Sequence, residues 1–102
     1  MKNIIGNLNK AFDHRIRLGI MSMLVVNDWM DFTSLKELLE LTDGNLASHL
    51  KALEAEAYIE VQKQFVNRKP QTTYSVTPEG RKAFDEHLDA LESILKSRKN
   101  DK

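Results

Sequence analysis

The run Leu41-Thr42-Asp43-Gly44-Asn45-Leu46-Ala47-Ser48-His49-Leu50-Lys51-Ala52-Leu53-Glu54 decides the fold. Thr42 suits an N-cap, because its hydroxyl can accept from an amide of the first turn, and Asp43 puts a negative charge where the helix dipole favours one. Leu46, Leu50 and Leu53 follow the i, i+4, i+7 rule and form one buried stripe. That phase turns Asn45, Ser48, His49 and Ala52 outward, a small and polar face on a helix expected over residues 42–57.

Working upstream, Thr33 and Ser34 offer N-caps, and Ser34 with Glu37 has capping-box spacing. Leu35, Leu38 and Leu39 give that segment an apolar side, so a second, short helix ends near Leu41. Trp29-Met30-Asp31-Phe32 reads as a minor strand. Before it, Leu8, Phe12, Ile16, Ile20 and Leu24 recur every four positions, which predicts a first helix over residues 8–26. Downstream, Ile59, Val61 and Lys63 alternate with Glu60, Gln62 and Gln64 in the period of a strand. Val66 to Pro70 breaks the alternation, and Thr73, Tyr74 and Val76 resume it, predicting a β-hairpin with a basic tip over residues 58–76. Thr77-Pro78 supplies a cap followed by proline at the first helical position. Phe84, Leu88, Leu91 and Leu95 then repeat at spacings of four, three and four, a heptad-like seam on a last helix over residues 77–96.

Helix, minor strand, helix, short turn, helix, hairpin, helix is the order of a winged helix-turn-helix, a mainly α fold with a small β-hairpin in one domain over residues 1–102. A helix fits the major groove of double-stranded DNA, its small polar face reaches base edges, and cations on the hairpin, the wing, reach phosphates.

Net charge is zero, so only the distribution of charge bears on nucleic acid. Val61 to Ser75 carries Lys63, Arg68 and Lys69 with no acid, whereas Asp28 to Asp43 carries Asp28, Asp31, Glu37, Glu40 and Asp43 against Lys36. A chain neutral overall still presents a locally cationic face.

The quoted run, the wing Phe65-Val66-Asn67-Arg68-Lys69-Pro70-Gln71-Thr72-Thr73-Tyr74, and Val76-Thr77-Pro78-Glu79-Gly80-Arg81-Lys82-Ala83-Phe84 together resemble winged-helix transcriptional regulators related to the MarR and ArsR groups. The resemblance spans residues 12–91 and implies a dimeric, repressor-like protein. On that reading Asn45, Ser48 and His49, with Lys51, form the DNA-facing side of the recognition helix, and Arg68 and Lys69 serve in the wing. Thr72 and Thr73 add hydroxyls that β-propensity also explains. The resemblance names neither operator nor small-molecule effector. The chain is shorter than a typical MarR regulator, whose added helices build the dimer interface and a ligand pocket.

Other chemistries find little purchase. No cysteine is present, which agrees with a reducing, cytoplasmic setting and leaves the thiolate metal sensing common in the ArsR group without ligands. His14, His49 and His87 fall in different helices with no metal-ligand spacing, so neither metal nor other cofactor is expected. Ser48 and His49 point about 100° apart as adjacent helical residues and lack a nucleophile elbow, so no catalytic residue is expected. No run approaches the ~20 apolar residues of a membrane span, and Met1 to Lys10 lacks the layout of a signal peptide. A stripe such as Phe84, Leu88, Leu91 and Leu95 usually packs on its own core. A long last helix and the extra apolar Ile4, Ile5 and Leu8 point instead to a two-fold homodimer. The competing reading is a winged helix that docks protein within a larger assembly, which zero net charge favours and the acid-free wing opposes.

Overall fold

The computed structural model describes residues 6–100, with side chains described to residue 96. A 3-10 turn, Lys10–Phe12, leads into α1 (Arg15–Val26), β1 (Met30–Asp31), α2 (Phe32–Leu39), α3 (Asp43–Ala55), β2 (Ile59–Val66), β3 (Lys69–Val76) and α4 (Pro78–Asn100). The strands form one antiparallel sheet in the order β1-β3-β2. Met30 pairs with Tyr74 in β1–β3, and Ile59 with Val76 through Val66 with Lys69 in β2–β3.

The helix boundaries follow from local hydrogen bonds. Thr42 caps α3 by accepting from the Asn45 amide at 3.2 Å, and the Thr77 hydroxyl caps α4 by accepting from Gly80 N–H at 2.9 Å. Two starts differ from the sequence expectation. The first helix begins at Arg15 rather than near Leu8, because the Asn9 side chain accepts from the Ala11 amide to close a separate 3-10 turn and the His14 ring accepts from the Ile16 amide to start α1 anew. The second helix is capped by Asp31 rather than Ser34: the Asp31 carboxylate accepts from the Ser34 amide and, at 2.6 Å, from the Ser34 hydroxyl. The ends of α2 and α3 are closed alike, by the left-handed residues Glu40 and Ala57. Leu41 N–H reaches Lys36 O, and Tyr58 N–H reaches Leu53 O, each at 3.0 Å, which satisfies carbonyls that a helix end leaves free.

The core lies where α1, α2 and α3 meet the sheet. Ile20, Met21, Leu24, Leu35, Leu46 and Leu53 are its fully buried members. Phe12 joins the start of the chain to the end, with Tyr58, Phe84 and His87 rings 5.2 to 5.5 Å from its own. Asn9 ties the same corner, its backbone N–H donating to His87 Nδ1 and its side-chain amide to the Tyr58 hydroxyl. Beyond Ala90 no further described residue of α4 is buried, and the molecule measures 60 Å along its longest axis.

Candidate nucleic-acid interface

The outer side of α3 is built by what its inner side buries. With Leu46, Leu50 and Leu53 in the core, Gly44, Asn45, Ala47, Ser48 and Lys51 are exposed. None but Lys51 has a long side chain, and a Cβ added at Gly44 would meet nothing within 4 Å. The helix is thus presented as a thin ridge. Lys36 of α2 reaches Asp43 of α3 at 2.9 Å across the turn between the two helices; both side chains are solvated, so the pair orients more than it stabilises.

His49 lies elsewhere than the outward side on which Asn45 and Ser48 sit. It is half-buried against α1, where Arg17 Nε donates to its Nδ1 at 3.1 Å and the His14 ring packs with centroids 4.3 Å apart. Burial, then the charges of His14 and Arg17, hold its pKa below the ordinary histidine value. Helical phase alone could not reveal this, because the groups that claim the ring come from a different helix.

The wing is β2 and β3 joined through Asn67 and Arg68, whose φ angles of 53° and 65° are those of a tight two-residue turn with both central residues left-handed. Arg68 and Lys69 are exposed at the tip. Thr72 lines a cleft between α3 and the hairpin together with Ser48, Lys51, Glu54, Val61, Lys63 and Tyr74. Lys63 therefore belongs with the expected cations, and its place in the acid-free stretch Val61 to Ser75 was the signal for it. Tyr74 at the cleft floor has its phenol pKa raised, by burial first and then by Glu54. Thr73 departs from the expected set. It is only 3% exposed, pairs with both β1 and β2, and spends its hydroxyl on Gln62 O at 3.4 Å, so it is a sheet residue and not a surface donor.

The structure therefore brings Asn45, Ser48, Lys51, Lys63, Arg68, Lys69 and Thr72 to neighbouring parts of α3 and the wing. A thin polar ridge beside a cationic hairpin is a surface for a duplex, whose groove admits a helix and whose phosphates lie alongside. A family model described as a winged helix DNA-binding domain matches residues 16–95.

The chain belongs to that winged-helix family. An uncharacterized protein of Methanocaldococcus jannaschii is 36% identical over 88 residues, covering 86% of this chain and 96% of that protein. A transcriptional regulator homologue from Pyrococcus horikoshii superposes with a TM-score of 0.76 at 29% identity, covering 94% of this chain and 88% of its own. A transcriptional regulator from Thermotoga maritima shares the fold at 16% identity and a TM-score of 0.71, over 86% of this chain and 61% of that longer one. The family match thus makes the chain a winged helix DNA-binding domain, and the solved structures that share its fold include transcriptional regulators.

The described residues bring together no group of three or more His, Cys, Asp or Glu side chains able to hold a metal, and none of their helices is long and apolar enough to cross a membrane. The seam expected for pairing divides. Phe84 is 3% exposed and packs edge-on against Phe12, in this chain's own core, whereas Leu88, Leu91 and Leu95 are 44%, 37% and 62% exposed. Leu8 is half-buried, and Ile4 and Ile5 lie outside the described residues.

Proposed function

We propose that the protein is a cytoplasmic, dimeric, repressor-like regulator that reads an inverted repeat in double-stranded DNA. The observation that carries this is the pairing of a ridge without bulky side chains, Asn45, Ala47 and Ser48, with a wing beside it that is cationic and free of acids from Val61 to Ser75. In this reading α3 lies in the major groove, where Asn45 and Ser48 meet base edges. Lys51, Lys63, Arg68 and Lys69 neutralise phosphates, and Thr72 adds a hydroxyl.

Dimerisation is supported by α4. Phe84, His87 and Ala90 face inward and are buried, while Leu88, Leu91 and Leu95 stay partly exposed along a helix that outlasts the body it packs on. A second copy covers such a strip by two-fold pairing.

The test is selection of bound duplexes from a random pool with the purified protein. The expected product is a palindrome with half-sites one helical turn apart, about 10 base pairs. Recovery of single half-sites would overturn the dimeric reading, and failure to enrich any duplex at low salt would overturn DNA reading itself.

A further inference from the structure

The most exposed large apolar side chain among the described residues is Phe65, at 78%, and it stands one residue short of the end of β2. Its direction follows from the pleat. Val61, Lys63 and Phe65 alternate with their neighbours, so they share a face, and their partners Tyr74, Thr72 and Pro70 share it with them. Val61, Lys63, Thr72 and Tyr74 line the cleft against α3. Phe65 and Pro70 continue that face about 7 Å further toward the tip, beyond the reach of α3. The aromatic ring and the pyrrolidine ring thus project on the side that α3 presents, with Lys63 on the same face and Arg68 in the turn beyond them.

No described ring contact engages Phe65, and β-propensity alone does not require an aromatic on the open face of an edge strand. The surrounding charge decides which partner it suits. From Val61 to Ser75 there are three cations and no acid, so a polyanion draws the tip in and an apolar protein surface does not. With α3 in a major groove, the distal hairpin crosses the phosphate ridge and arrives at the adjoining minor groove. Flat apolar side chains set into that groove partly unstack a base step, at a cost lowest at flexible pyrimidine–purine steps.

We propose that Phe65, backed by Pro70, is an apolar wedge that the wing sets into the minor groove of the bound duplex, making deformability of the flanking step a determinant of site choice. This rests on the DNA-reading function proposed above. It adds a specificity residue that makes no base-edge hydrogen bond. An apolar contact releases no condensed counterion, so it has a signature that the wing cations lack.

The experiment measures affinity of the intact protein for its selected duplex across a salt series, for the parent, Phe65→Ala, Phe65→Leu and Arg68→Ala. Each duplex is used with a pyrimidine–purine or a purine–purine step beneath the wing. Phe65→Ala is expected to bind about tenfold more weakly with an unchanged salt slope, and to lose the parent's preference for the flexible step. Phe65→Leu is expected to keep most of both, and Arg68→Ala to lower the slope. Circular dichroism reports that the exposed substitutions leave the fold intact. Parent binding with Phe65→Ala equal to it in affinity and step preference overturns the wedge while leaving DNA reading standing. A parent that binds no duplex overturns both.

Discussion

Arg68 occupies a conformation that its own side chain opposes. At φ 65° a non-glycine residue carries a left-handed penalty of about 1–2 kcal/mol, and Asn-Gly is the favoured pair for this turn. The phosphate contact proposed for the guanidinium would account for strain kept at an exposed tip. Arg68→Gly is therefore expected to raise stability by about 0.5 to 1 kcal/mol in urea unfolding, while weakening duplex binding and flattening its salt dependence. A loss of stability would mean that the arginine holds the hairpin together. His49 gives the second prediction at this scale. Its folded pKa lies below the unfolded value of about 6.5, so the unfolded chain binds the extra proton first. The stability linked to the neutral ring is fully present above that value and is lost as pH falls through it toward the lower folded pKa. Protonation also turns the Nδ1 acceptor of the Arg17 bond into a donor. Thermal melts at pH 7.5 and 5.0 should differ more for the parent than for His49→Gln. Equal differences would exclude the ring as a contributor.

Elements in this fold are positioned by a few close approaches, and one is at the start of α4. A Cβ on Gly80 would lie 2.0 Å from the Tyr58 carbonyl oxygen, which itself accepts from Thr77 N–H at 3.0 Å. The first turn of α4 is thus pressed directly onto the chain entering β2, with Thr77 Oγ1 donating to Ala57 O at 2.6 Å beside it. Because backbone cannot give way as a flexible side chain does, Gly80→Ala is expected to cost more than about 3 kcal/mol. Gly44→Ala, on the open side of α3, should be neutral or stabilise by up to about 1 kcal/mol. The contrast is read by denaturant midpoints, and a mild Gly80→Ala would show that α4 can shift without loss. It also marks what a sequence discloses. Thr42 and Thr77 were legible as caps because a cap acts within three residues, and the leucines of α3 because one helix sets their phase. The start of α1 was not, since Leu8, Phe12 and Ile16 keep helical spacing across the 3-10 turn that interrupts the helix. Gly80, the His49 ring and the buried hydroxyl of Thr73 depend on partners distant in the chain, and no local pattern carries them.

For the whole molecule the open question is how one wing and one short helix gain selectivity, and α4 bears on it. Its 23 residues span about 35 Å, and beyond Ala90 none of its described residues is buried. If α4 pairs two copies, the second half-site binds at a high effective concentration, and the recognition helices meet successive major grooves about 34 to 36 Å apart. Leu91 and Leu95 are 37% and 62% exposed in the single chain, so charging them spares the core that Phe84 fills. Leu91→Glu with Leu95→Glu is expected to keep the helical circular dichroism of the parent and to sediment as a monomer at tens of micromolar. It should bind the palindrome about 100-fold more weakly, with roughly half the salt slope because one set of phosphate contacts is gone. Phe84→Ala should instead destabilise the monomer by about 3 to 5 kcal/mol, which separates a core residue from an interface residue on the same stripe. A folded double variant that still sediments as a dimer and keeps its slope would place the pairing surface elsewhere, and the palindrome would then need a different geometric cause.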